Sequence, residues 1–174
     1  SLEIATKELR RIIETFLNES MRYFTDILDV SVFADIFLNI CRILAREKKG
    51  LEQDSIGEEL QKLVVKDSTS NISKATVVRA INWLYHSGII GFCGKIVELD
   101  ILDFKPGRRC YFMDLGIANF YMTQAGLDKA SINGTLNENY VYINLVKRLD
   151  FPQQIAFETP AFATYKSGEI DFYV

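Results

Sequence analysis

The chain has 174 residues, of which 48% are hydrophobic and 25% are charged, and its formal net charge is -3. This composition is typical of a folded globular protein and excludes a disordered chain, a collagen and a coiled coil. Proteins that bind nucleic acid through overall charge are usually basic, so DNA binding by this chain has to depend on a local basic patch.

Residues 1–30 are predicted to form a helical lead-in. Apolar residues recur there close to helical spacing, which predicts a packing helix followed by a second, short helix. These residues are Ile4, Leu9, Ile12, Ile13, Phe16 and Leu17.

From residue 31 the pattern predicts three helices. Ser31 is a candidate N-cap for the first, whose apolar positions recur at i, i+3, i+4 and i+7. The segment Ser55–Glu58 fits a capping box and predicts the start of the second. Ser73 is a candidate N-cap for the third, and Ser87 and Gly88 end it. The apolar residues that we expect to face inward on the third helix are Val77, Ala80, Ile81 and Leu84.

A β-hairpin is predicted after the third helix. The apolar runs Ile89–Cys93 and Ile96–Leu102 flank Gly94 and Lys95, which predicts two strands joined by a glycine turn. Three helices and a hairpin in this order are typical of a winged helix-turn-helix domain, which we expect over residues 31–104.

In a winged helix the third helix is the recognition helix. Residues 66–109 carry 7 basic and 4 acidic side chains, so the predicted DNA-binding segment is locally basic. Cationic side chains contact phosphates, and an asparagine can bind a base edge. The alternative for the winged helix is that it packs only against protein. The alternative for the loop Lys105–Arg109 is that it is a solvated turn. The candidate nucleic-acid-binding residues are Lys74, Arg79, Asn82, Lys95, Arg108 and Arg109.

Cysteine and histidine usage restricts the possible catalytic chemistry. The three cysteines form no CxxC pair, which is typical of a reduced cytoplasmic protein. His86 is the single histidine, which nearly excludes a Ser-His-Asp triad or a multi-histidine zinc site. The apolar stretches contain charged residues and no signal peptide precedes them, so we expect no membrane partner.

Three motifs in residues 105–174 carry a family resemblance. They are YFMDLG at Tyr111–Gly116, the pair Glu138 and Asn139, and EIDF at Glu169–Phe172. Together with the winged-helix segment they resemble the C-terminal region of a prokaryotic family of AAA-type ATPases, over roughly Val32 to Val174. The resemblance implies a parent protein that binds ATP and Mg²⁺. This chain lacks GxxxxGK[ST] and is expected to be a fragment with no cofactor of its own.

The last module of that family resembles the restriction-endonuclease-like fold of the PD-(D/E)xK superfamily. By that resemblance Glu138 matches the helix glutamate and Asp171 the strand aspartate, and both are candidate catalytic residues and candidate metal ligands. Carboxylate oxygens suit Mg²⁺, which polarises a phosphate and activates water. The Glu-x-Lys strand of the superfamily is absent from the chain. The alternative is that Glu138 binds amides at a helix start and that Asp171 lies on the solvated face of an edge strand.

The expected fold class is α+β, with a winged helix-turn-helix followed by a truncated restriction-endonuclease-like α/β module. The expected function is that of an accessory or regulatory region of an AAA-type ATPase, engaging DNA and not catalytic on its own. Two alternatives stay open: part of a Mg²⁺-dependent nuclease in the full-length protein, or a protein-interaction module. The expected partners are DNA, the protein's own ATPase domain and a second copy of the chain.

Overall fold

The computed structural model describes residues 2–24, 30–47, 73–98, 101–103, 109–149, 160–165 and 168–173. These residues form a mixed α+β structure. The helices are α1 (Leu2–Met21), α2 (Ser31–Glu47), α3 (Lys74–His86), α4 (Leu115–Gln124) and α5 (Lys129–Leu149). The strands are β1 (Ile90–Glu98), β2 (Ile101–Asp103), β3 (Arg109–Phe112), β4 (Ala161–Tyr165) and β5 (Gly168–Tyr173).

The predicted inward faces of α2 and α3 are confirmed. Apolar residues three and four positions apart lie on one side of a helix, so burying that side places them together in the core. A fifth residue predicted on α2, Leu44, has a side chain outside the described part of the chain. On each helix the four other predicted residues are 5% exposed or less. They are Phe33, Ile36, Phe37 and Ile40 on α2, and Val77, Ala80, Ile81 and Leu84 on α3.

Short polar side chains cap the N-termini of three helices. The Ser73 hydroxyl accepts a hydrogen bond from the amide of Thr76 at 3.1 Å, which confirms the predicted N-cap of α3. Asp114 caps α4 in the same way at 2.9 Å. Asp128 accepts from two amides at the start of α5, each at 3.0 Å. Each carboxylate or hydroxyl satisfies amides that have no partner within the helix.

The two other predicted helices have different outcomes. The lead-in helix is present as α1, which ends at Met21 and is followed by a turn through Phe24. The second helix of the predicted winged helix, opened by Ser55–Glu58, lies outside the described residues.

The sheet has the order β2-β1-β4-β5, and β3 pairs with β1. The first half of β1 is antiparallel to β3, with Ile90 opposite Phe112. The second half is antiparallel to β2 and parallel to β4, with Gly94 opposite Ala161. Strand β5 is antiparallel to β4. The middle of the sheet is therefore formed by β1.

The predicted turn at Gly94 and Lys95 is wrong. Strand β1 continues through both residues to Glu98, and Lys95 pairs with Asp103 on one side and Phe162 on the other. The glycine indicated a turn because local sequence gave no sign of a parallel partner strand far along the chain. Pairing with β4 overrides that local preference.

The predicted boundary between residues 104 and 105 falls inside this sheet. Strand β1 precedes the boundary, and its partners β3 and β4 follow it. One hydrophobic cluster also runs from Ile13 on α1 to Phe162 on β4. The described residues therefore share one sheet and one core.

Close packing at the centre of the sheet depends on Gly91. The Tyr142 hydroxyl of α5 donates to the Phe92 carbonyl oxygen at 2.8 Å, so its ring crosses β1 at short range. A Cβ at position 91 would lie 2.8 Å from Cε1 of that ring. Only glycine allows this approach without displacement of the tyrosine.

Candidate functional site

The two candidate carboxylates come together at one buried arginine. An Arg109 guanidinium nitrogen lies 3.9 Å from Glu138 Oε1 and 3.7 Å from Asp171 Oδ1. Arg109 is in β3, Glu138 is in α5 and Asp171 is in β5, so three separate elements meet at this point. We call Arg109, Tyr111, Glu138 and Asp171 the arginine cluster.

Strand β3 positions two members of the cluster. Alternate residues of a strand point to the same face, so Arg109 and Tyr111 share one face while Cys110 and Phe112 share the other. All four are buried, because β3 is covered on both sides. Arg109 was expected in a solvated cationic loop. That placement is wrong, because its side chain is 5% exposed and belongs to a covered strand.

The Arg109 side chain also packs on an aromatic ring. Its guanidinium carbon lies 4.0 Å from the centroid of Phe162 on β4, which is a close cation–π contact. This ring holds the guanidinium plane from one side while the carboxylates lie near its nitrogen. The arrangement differs from a phosphate-binding surface, which needs its cations accessible to solvent.

Glu138 is held mainly by Tyr111. The Tyr111 hydroxyl donates to Glu138 Oε1 at 2.7 Å, and its ring stacks on Tyr142 with the centroids 4.4 Å apart. Burial, together with the negative charge of Glu138, raises the pKa of Tyr111 well above its ordinary value. Tyr111 is therefore a neutral donor at any physiological pH.

The predicted surroundings of Glu138 are partly wrong. It is the tenth residue of α5, so it does not bind amides at a helix start. Its side chain is 21% exposed, and Tyr142 on the same side is buried, whereas Val141 is 43% exposed. A carboxylate at the rim of a buried helix face needs polar partners. Tyr111 and Arg109 supply them.

Asp171 lies where β5 is irregular. Between Ala161 and Ala163 of β4 the register with β5 shifts by one residue, which places an extra residue in β5 near Asp171. Such bulges redirect side chains. The Asp171 side chain is 64% exposed, in agreement with the alternative of a solvated strand face, but its Oδ1 lies near Arg109. The spacing of residues in the sequence does not indicate the contact between Asp171 and Arg109.

Asn139 is a structural residue of the site to which the sequence assigned no role. Its side chain is fully buried, its Oδ1 accepts from the Phe112 amide at 2.9 Å, and its Nδ2 donates to the Phe112 carbonyl oxygen at 2.5 Å. These two bonds fasten α5 to β3 directly beside the arginine cluster. The only signal in the sequence was the adjacency of Asn139 to Glu138 in a motif.

The donor set of the cluster does not fit a divalent metal ion. Mg²⁺ needs several free oxygen ligands in octahedral geometry. Here the two carboxylates approach a guanidinium nitrogen, and one Glu138 oxygen already accepts from Tyr111. In the parts of the chain that the structure describes, no three His, Cys, Asp or Glu side chains form a group suited to a metal.

Two of the candidate nucleic-acid-binding residues of α3 lie on its outer face. Arg79 and Asn82 are exposed, three residues apart, and His86 is exposed four residues further along the same face. The side chain of Lys74 lies outside the described part of the chain. The Arg79 guanidinium carbon lies 5.9 Å from the ring centroid of Phe24, beside the end of α1. Trp83 on the flank donates to Ser20 at 3.2 Å and stacks on Tyr23.

The other candidate cations are not brought together with this face by any described contact. Lys74 begins α3, and Lys95 is inside β1 instead of at the tip of a wing. Arg108 lies outside the described residues. Arg109 is buried in β3, on the arginine cluster.

Comparison with protein-family models, curated proteins and solved structures finds no match to this chain. Among the described helices, none has both the length and the apolar character needed to cross a membrane.

Proposed function

We propose that this chain is an accessory region of an AAA-type ATPase that binds duplex DNA through the outer face of α3 and has no catalytic activity of its own. The DNA-binding part of this proposal rests on the amphipathic character of α3. Val77, Ala80, Ile81 and Leu84 anchor the helix in the core, while Arg79 and Asn82 are exposed on the opposite side.

The chemistry of that outer face suits a DNA groove. An arginine can bind a phosphate or the acceptor atoms of guanine, and an asparagine can bind adenine through two hydrogen bonds. A helix anchored by its apolar face presents these side chains without rearrangement, so little ordering is required on binding. Few exposed cations are available, so we expect modest affinity that decreases strongly with salt.

The position of Arg109 supports the non-catalytic part. The resemblance to nucleases makes Glu138 and Asp171 the candidate metal ligands, and both lie within 4 Å of the same guanidinium nitrogen. A positive charge there opposes the binding of a divalent cation. ATP binding and hydrolysis are assigned to the parent protein, for which a GxxxxGK[ST] motif upstream in the complete reading frame is the expected sign.

The DNA-binding part is tested by fluorescence anisotropy with a labelled duplex. Arg79→Glu is expected to weaken binding by about tenfold or more, because it removes one charge-assisted hydrogen bond and adds a repulsive charge. It is also expected to reduce the salt slope of log K by about 1. The matched control is Arg11→Glu on α1, whose arginine is 70% exposed and paired with Glu8.

Equal binding by Arg79→Glu and by the wild-type chain contradicts DNA contact through α3. Absence of any salt-sensitive binding favours the protein-interaction alternative instead. The nuclease alternative is supported by Mg²⁺-dependent DNA cleavage by the full-length protein that Asp171→Ala abolishes, and that result contradicts the non-catalytic part.

A further inference from the structure

We propose that Arg109 is a built-in cation that takes the place of a divalent metal ion between Glu138 and Asp171. Its side chain belongs permanently to β3, so the charge at this position does not depend on an ion from solution. Arg109 has this role whether or not α3 binds DNA.

The geometry of the cluster supports this assignment in three ways. The same guanidinium nitrogen faces a carboxylate oxygen of α5 at 3.9 Å and one of β5 at 3.7 Å. The arginine is 5% exposed, so water screens its charge weakly towards the buried side. The Phe162 ring under the guanidinium and the Tyr111 bond to Glu138 fix the cation and one carboxylate in place.

A guanidinium and a hard divalent ion compensate two carboxylates by different means. The metal binds through short bonds to several oxygens in a strict geometry. The Arg109 guanidinium instead acts through its charge, with one nitrogen 3.7 and 3.9 Å from the two carboxylate oxygens, and it packs on an aromatic face. Either one offsets the repulsion between Glu138 and Asp171. Only the metal, however, can polarise a phosphate and activate water. A protein with Arg109 in this position keeps the carboxylate arrangement without that chemistry.

Removal of the arginine side chain charge should therefore make the site receptive to a metal ion. In Arg109→Gln the two carboxylates lose the nearby positive charge, and the shorter side chain leaves space at the former position of the guanidinium. We expect a thermal midpoint below that of the wild-type chain, and partial restoration by added Mn²⁺. A rise of roughly 3–6 °C is expected if bound Mn²⁺ shifts the folding equilibrium about tenfold.

Two controls distinguish this site from general effects of Mn²⁺. The double variant Arg109→Gln/Asp171→Asn has lost one carboxylate and should show no rise. Arg22→Gln removes another ion-paired arginine, which lies 2.8 Å from Glu19 on the surface, and should also show none. The wild-type midpoint should not change with Mn²⁺.

The proposal is overturned if Mn²⁺ fails to raise the midpoint of folded Arg109→Gln, or raises it equally in the double variant. It is equally overturned if Mn²⁺ stabilises the wild-type chain and Asp171→Asn removes that effect. The wild-type titration tests the proposal even if Arg109→Gln does not fold, because stabilisation of the wild-type chain by Mn²⁺ would show that the ion binds while Arg109 is present.

Discussion

At the scale of single residues, Asn139 has the clearest structural task. Its side-chain oxygen and nitrogen both form hydrogen bonds with the backbone of Phe112, and the whole side chain is buried. This arrangement satisfies the amide and the carbonyl group of Phe112. Together with the contacts of Tyr111 to Glu138 and Tyr142, it holds β3 against α5 beside the arginine cluster.

Asn139→Ala is expected to destabilise the chain by about 2–5 kcal/mol, because it leaves two buried backbone groups without their partners. Urea denaturation measures this loss. The control is Asn137→Ala, two positions earlier on α5 and exposed, which should change the free energy of unfolding by about 0.5 kcal/mol or less. Equal stability of the two variants contradicts the assigned role of Asn139.

The buried thiol of Cys41 makes the free energy of unfolding depend on pH. Burial raises the pKa of Cys41 to about 12. In the unfolded chain a thiol ionises near a pKa of about 8.5. The folded state therefore holds a proton that the unfolded state releases. The stabilisation is complete below the unfolded pKa, decreases as the pH rises above it, and is fully lost above the folded pKa.

We expect the free energy of unfolding to fall by about 1.4 kcal/mol per pH unit for this group above a pH of about 8.5. Cys41→Ala should show a slope that is shallower by that amount, since Cys93 and Cys110 are present in both proteins. Urea titrations under reducing conditions at a series of pH values measure the difference. Parallel pH profiles for the two proteins contradict the assignment.

At the scale of elements, the sequence predicted the helices of the first half better than the sheet. Helical periodicity is a local signal, and the inward faces of α2 and α3 followed from it directly. The N-cap of α3 at Ser73 was also a local signal. Strand pairing depends on residues far apart in the chain, so β1 was divided by a turn that does not exist.

The candidate site shows the same division between local and distant information. The motifs indicated Glu138 and Asp171, but no periodicity indicated that β3 would bring Arg109 to both. Adjacent arginines after Pro and Gly are typical of a solvated turn. Arg109 is instead buried in β3, where a carboxylate of α5, a carboxylate of β5 and an aromatic ring of β4 lie close to its guanidinium.

At the scale of the whole molecule, β1 connects the two expected modules. Its partner strands come from both sides of the boundary predicted between residues 104 and 105. The hydrophobic core also spans this boundary: it extends from Ile13 on α1 to Phe162 on β4, and Phe172 on β5 packs against it. Unfolding one half would therefore expose core surface and unpaired strand edges of the other. Such coupling is the physical basis of cooperative unfolding.

We expect one cooperative unfolding transition with urea. Trp83 is the single tryptophan and reports on α3, while far-ultraviolet circular dichroism reports on all helices, including α4 and α5. The two probes should give the same midpoint and the same m-value. Two separated transitions contradict the continuous sheet and indicate independent modules.

A crystal structure of the wild-type chain grown with Mn²⁺, with anomalous data collected at the manganese absorption edge, tests the arginine cluster most directly. We predict the Arg109 guanidinium between Glu138 and Asp171, with no anomalous peak within coordination distance of either carboxylate. A manganese peak bound by both carboxylates, with Arg109 displaced, contradicts the assignment of Arg109 as the built-in cation.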